Sequence, residues 1–207
     1  DKKAISIPTE GHIYADLEGG VHPYNVIPLT SDFTFETWFK TPGLPVNQVI
    51  GQILSFYSNL NLELKEDRHL ALWLNNSGGA GALYSVSPEP IIPNLWYHVA
   101  LVRSLDTYTV YLNGKAIIQQ TPNIANLTPC RVSFFTAPWN ISKRLPGVFQ
   151  DLAITKAARY LGNFVPNELA YPYTAFDEAS VITNPLSITH NLKVVKDNTN
   201  LIKTLVL

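Results

Sequence analysis

Apolar and polar residues alternate with a period of two along much of this chain. The clearest runs are Phe33 to Lys40 (FTFETWFK), Leu62 to Leu64, Leu70 to Leu74, Trp96 to Arg103, Tyr108 to Asn113 and Val148 to Ile154. That period marks a strand with one buried face. Fifteen prolines and eleven glycines are spread between the runs, so the strands are short and divided by turns. Helical spacing is scarce; its best candidate is a short turn near Lys156 to Tyr160. The pattern predicts an all-β protein, an antiparallel sandwich of two stacked sheets.

The stretch from Asn94 to Lys115 (NLWYHVALVRSLDTYTVYLNGK) shows the logic at residue level. Trp96, His98, Ala100 and Val102 share one face of a strand; Tyr97, Val99, Leu101 and Arg103 share the other. Asp106-Thr107 turns the chain, and Tyr108, Val110 and Leu112 alternate against Thr109 and Tyr111. Asn113-Gly114 supplies the positive φ angles of a tight hairpin. His98 could serve as a general base, but a histidine on an apolar strand face reads first as a buried, hydrogen-bonded residue.

Trp96-Tyr97-His98-Val99-Ala100-Leu101 followed by Val110-Tyr111-Leu112-Asn113-Gly114-Lys115 resembles the laminin-G-like, concanavalin-like domains, whose hallmark reads roughly W-x-H-V-A and then Y-x-N-G. Asp32 to Lys40 (DFTFETWFK) is similar to their early strand. Val148 to Pro166 (VFQDLAITKAARYLGNFVP) is similar to their closing strand, in the version carried by bacteriophage tail and virion proteins. These matches are collinear over about residues 4–170. The resemblance implies a jelly-roll sandwich. It also implies recognition or adhesion as part of a larger assembly such as a phage particle, at a virion surface or outside the cell. Relatives often carry two acidic residues before the apolar pair of the closing strand; here the first is Gln150 and only Asp151 remains. Many relatives hold a calcium ion at the rim of the sandwich. Asp16, Glu18 and Asp151 are candidate ligands by residue type for a structural calcium, the one cofactor expected.

A weak boundary at Tyr171-Pro172-Tyr173 divides the chain into a sandwich domain, 1–173, and a C-terminal extension or assembly arm, 174–207. The second piece carries its own strand signals at Ser180 to Ile182, Leu186 to Ile188, Leu192 to Lys196 and Leu201 to Leu207. An end so apolar must pair with the sandwich, pair with another subunit, or continue into a further domain. Contacts between subunits through 174–207, and hence an oligomer, are the expected use.

Composition narrows the partners. The 207 residues are 46% hydrophobic and 15% charged, with a formal charge of -1. Such a chain fills a core and has no bulk attraction for nucleic acid or an anionic membrane. No apolar run reaches the roughly 18–20 residues of a spanning helix, so membrane insertion is not expected. Cys130 is the only cysteine, which removes an intrachain disulfide and a thiolate metal cluster. The chain starts at Asp1 without a methionine, as a processed, recombinant or fragmentary form would.

Candidate chemistry is thin. A glycosidase needs two carboxyl groups flanking a sugar bond, which a strand would offer as acidic residues two or four apart. Glu36 stands alone on its strand, and Glu63, Glu66 and Asp67 read as a solvated hairpin tip. His12, His22, His69, His98 and His190 show no pair at the two- or four-residue spacing of a zinc site. An enzyme is therefore not expected. Sugars bind through aromatic faces and planar polar groups, and the candidates are tryptophans. Trp38 lies with Glu36 and Lys40 opposite Phe33, Phe35 and Phe39, facing outward or into a groove; its plainer reading is packing. Trp73 is set off from Leu70, Leu72 and Leu74, and its strand runs into the polar loop Asn75-Asn76-Ser77-Gly78-Gly79. Trp139-Asn140 sits in another loop. Asn75, Asn126 and Asn140 form N-x-S/T sequons, about as many as chance supplies. The expected ligand is a glycan or cell-surface polysaccharide, bound by Trp73, Asn75, Asn76, Trp139, Asn140, Glu36 and Trp38. The competing reading is a structural virion or surface protein that touches only other proteins.

Overall fold

The computed structural model describes residues 31–56, 59–75, 82–122, 132–137 and 140–166, together with the backbone of four short strands outside these ranges. In chain order the strands are β1 (Ile5–Ile7), β2 (Ile13–Asp16), β3 (Phe33–Lys40), β4 (Ile50–Phe56), β5 (Leu60–Lys65), β6 (His69–Leu74) and β7 (Leu83–Pro90). They continue as β8 (Tyr97–Ser104), β9 (Thr107–Leu112), β10 (Lys115–Gln120), β11 (Val132–Phe134), β12 (Gly147–Thr155), β13 (Ser187–Ile188) and β14 (Leu192–Val194). They form a six-stranded sheet, β1-β12-β3-β8-β9-β10, and an eight-stranded sheet, β13-β14-β2-β11-β4-β5-β6-β7, with every paired ladder antiparallel.

The alternation read from the sequence sets which face is buried. Phe33, Phe35, Phe39, Val99, Leu101, Tyr108 and Val110 point inward from one sheet and meet Leu54, Leu60, Leu62, Leu64, Leu70, Leu72 and Leu74 from the other, all completely buried. Each such side chain contributes about 1.5–3 kcal/mol by leaving water. Phe35 stacks on Phe134 with centroids 6.0 Å apart, joining the two sheets. All six strand runs expected from period two are strands. β4, β7 and β10 were not among them, because bulges and interspersed polar residues blur their alternation.

A second layer covers the outer face of the six-stranded sheet. Ala158, Tyr160 and Phe164 pack onto Ala100, Val102 and Tyr111. The helical turn expected at Lys156 to Tyr160 is absent. The segment is irregular because its backbone is tied to the sheet: Arg159 N–H donates to Thr34 Oγ1 (2.9 Å) and Phe164 N–H to the Gly114 carbonyl (2.9 Å). The Asn113-Gly114 hairpin forms as expected, with φ of 50° and 77°. Gly114 is required twice, since an added Cβ would lie 1.8 Å from the Phe164 carbonyl oxygen.

At the far edge of the eight-stranded sheet, Leu192–Val194 pairs with Ile13–Asp16, and Ser187–Ile188 pairs outside it. These short C-terminal strands thus add to the sandwich. Ser180 to Ile182, Lys196 and Leu201 to Leu207 lie outside the described residues. At the opposite edge, β7 carries Pro88 and Pro90.

Candidate functional site

The residues singled out for glycan contact divide between the two outer faces. Glu36 and Trp38 are on the six-stranded sheet, beneath the 156–166 segment. Glu36 is buried rather than outward-facing, which corrects the expectation of an open groove there. Its carboxylate accepts from Arg159 Nη1 and from the Tyr160 phenol (2.7 Å), and His98 Nε2 lies 3.4 Å away. His98 is enclosed edge-on by Trp38 (5.3 Å) and Phe164 (5.8 Å). Burial pushes the His98 pKa down to about 4, against the opposing pull of the Asp151 charge. The neutral imidazole is thus sealed between two rings, and Trp38 is partly buried against it.

The outer face of the eight-stranded sheet is different. The β5–β6 hairpin pairs Asn61 with Trp73 and Glu63 with Ala71, and β7 sets Tyr84 opposite Trp73 and Val86 opposite Ala71. Asn61, Trp73 and Tyr84 therefore form a row across three strands. Tyr84 is 46% exposed and Val86 39%; Trp73 is half-buried. Trp73 stacks on no ring among the described residues.

The next row on the same face is polar, with Glu63 opposite Gln52. Glu63 is 4% exposed, so it is not part of a solvated hairpin tip; only Glu66 and Asp67 are. The correction follows from the strand: Leu62 and Leu64 fill the core, which turns Asn61 and Glu63 to the opposite face. Glu63 accepts from Gln52 Nε2 (3.0 Å) and from the Tyr84 phenol (3.1 Å). Burial raises its pKa, partly offset by these bonds and by the charges of Lys143 and Lys65. Burial, together with the same carboxylate, holds the Tyr84 pKa up at about 12. Ser55 donates to Asn61 Oδ1 (2.6 Å), which turns the Asn61 Nδ2 group away from Ser55. Buried Gln52 Oε1 meets no donor.

Asn75 is exposed at the end of β6, next to this row. Asn140 is exposed and caps a 3-10 turn, Ile141–Lys143, accepting from Ser142 N–H (3.0 Å). Asn76, Trp139 and Glu18 lie outside the described residues. Asp16 is in β2 and Asp151 in β12, strands of different sheets, and no group of three His, Cys, Asp or Glu side chains suited to a metal occurs among the described residues. Asp151 takes a positive φ of 54° at the bulge that shifts the β12 register between Gln150 and Ala153.

Asn61, Tyr84, Glu63 and Gln52 were missed from the sequence. The signal for the first was present: LNLEL is alternation with polar residues on the second face, and a hairpin closing at Lys65 to His69 must set Asn61 against Trp73.

A family model of the concanavalin A-like lectin/glucanases superfamily, laminin G type, matches residues 14–160. No curated protein matches the sequence. Similar solved structures include a Bacteroides ovatus protein to which carbohydrate binding is ascribed, with TM-score 0.63 and 16% identity over 99% of this chain; the chain spans 60% of that protein's length. The CBM40 domain of a Ruminococcus gnavus IT-sialidase, bound to α2,3-sialyllactose, has TM-score 0.55 and 15% identity over 77% of this chain and 92% of its own. Domains LG4-5 of the mouse laminin α1 chain have TM-score 0.54 and 12% identity over 78% of this chain and 45% of theirs.

Proposed function

Because the chain belongs to the concanavalin A-like lectin/glucanases superfamily, we propose that it is a non-catalytic recognition domain that binds glycan on the outer face of its eight-stranded sheet. The observation that carries the reading is the cross-strand pair of half-buried Trp73 and exposed Tyr84, with Asn61 in the same row and a buried, hydrogen-bonded carboxylate in the next. An aromatic strip of this kind matches the C–H face of a pyranose, and the amide and phenol beside it meet ring hydroxyls. Glu63 is held by Gln52 and Tyr84 rather than aimed across a gap at a second carboxyl group, so its geometry suits a binding site better than hydrolysis. The carbohydrate-binding neighbours support the same reading by their fold.

The domain works within a larger assembly such as a phage particle. What supports this half of the reading is the resemblance of Val148 to Pro166 to virion-protein versions of the domain. The alternative, contact with protein alone, is favoured by a different observation. Val46 and Val49 in one loop, and Ile92 and Leu95 in another, are exposed. A backbone bond from Asn94 N–H to the Thr41 carbonyl (2.8 Å) joins the two loops.

A glycan array followed by NMR titration tests the proposal. Binding should perturb the Trp73 indole signal and be lost in Trp73→Ala. Glycan binding that persists in Trp73→Ala and Tyr84→Phe would move the site elsewhere.

A further inference from the structure

We propose that the ligand of this face is a neutral glycan, and that Glu63 and Tyr84 act against sugars bearing a carboxylate. The inference rests on the glycan-binding reading above and names its substrate class. The argument is one of hydrogen-bond direction. The Tyr84 phenol gives its proton to Glu63 Oε1 (3.1 Å), so toward a ligand it offers oxygen lone pairs. Gln52 gives one of its two Nε2 protons to Glu63 Oε2 (3.0 Å), and its buried Oε1 meets no donor among the described residues. Of these three side chains only Tyr84 is exposed, so the oxygen that this part of the face presents to a ligand is an acceptor. A neutral hydroxyl can donate to such a surface, whereas a sugar carboxylate, itself only an acceptor, cannot.

Charge points the same way. Lys65 Nζ is engaged by Asp67 (3.2 Å), and the Lys143 charge acts on Glu63 itself. Tyr84 stays an uncharged phenol through the physiological range. An anionic sugar on Trp73 and Tyr84 would meet the field of Glu63 with only partial neutralisation from these lysines. Like charges separated by the depth of one side chain, at the intermediate dielectric of a protein surface, weaken binding by about tenfold.

The test uses the whole chain and pairs of oligosaccharides matched in ring stereochemistry: galacto-oligosaccharide against oligogalacturonate, cello-oligosaccharide against its uronic counterpart, and lactose against sialyllactose. Isothermal titration should give about tenfold weaker binding for the acidic member of whichever pair binds. Glu63→Gln should narrow that gap. Lowering the pH should narrow it too in the unaltered chain, by protonating Glu63 among its neighbours Gln52, Tyr84, Lys65 and Lys143; this arm needs no variant. Acidic sugars that bind as tightly as their neutral partners, through a site lost in Trp73→Ala, would overturn the neutral class and leave the glycan reading standing. A gap that neither Glu63→Gln nor acid moves would overturn the role given to Glu63. Silence from every pair would bring down the glycan reading and this inference with it.

Discussion

The Tyr84 phenol donates to the buried Glu63 carboxylate across the eight-stranded sheet, 3.1 Å away, and so links an exposed strand at the sheet edge to a charge nearer its centre. Glu63 accepts hydrogen bonds from Tyr84 and Gln52 on this face. Tyr84→Phe deletes one of them while keeping the ring. The loss should cost about 1–2 kcal/mol of stability, measured by chemical denaturation, and should push the Glu63 pKa further up. Glycan affinity should fall with it.

Trp73→Ala should separate binding from folding. The ring is half-buried and stacks on no other ring among the described residues. Its removal should abolish glycan binding while the thermal midpoint drops only modestly, as differential scanning calorimetry would report.

Arg159→Ala supplies the control on the opposite sheet. Its guanidinium, with the side chain 39% exposed, caps Glu36. Partial exposure screens the pair, so the loss should stay near 1 kcal/mol. Hydrogen exchange should quicken across residues 156–166 with glycan affinity unchanged.

Acid should unsettle the six-stranded side through His98. Its folded pKa is about 4 against an ordinary 6.5, so the fold favours the neutral ring. That stability is fully present above pH 6.5 and is lost as pH falls through about 4. The shift corresponds to about 3 kcal/mol at most. Glu63 acts in the other direction: its raised pKa gives stability that is present below its ordinary value and lost as pH rises through the folded one. His98→Gln should therefore flatten the decline in thermal midpoint between pH 6.5 and pH 4, whereas Glu63→Gln should steepen it.

Gly114→Ala should be the most damaging single methyl. It meets a positive φ of 77° and a carbonyl 1.8 Å away. The cost should exceed about 2 kcal/mol, with residues 156–166 released first in limited proteolysis.

Much of this architecture was legible because inward positions are phenylalanine and leucine on one register and threonine, glutamate or asparagine on the other. The hairpin at Asn113-Gly114 was legible for the same local reason. The site was less so. Glu63 looked like part of a charged turn because Glu66 and Asp67 follow it closely, and only the Leu60-Leu62-Leu64 register reveals that it faces Gln52 and Tyr84. Glu36 and Trp38 looked open because nothing local announces that Tyr160 and Phe164, more than a hundred residues later, return to cover them. Long-range covering of this kind has no periodicity to read.

Pro88 and Pro90, in the outermost strand beside Tyr84, carry a last consequence. Neither has an N–H to offer an incoming backbone. Copies of the domain at high local concentration would therefore resist zipping edge to edge into fibrils along this strand.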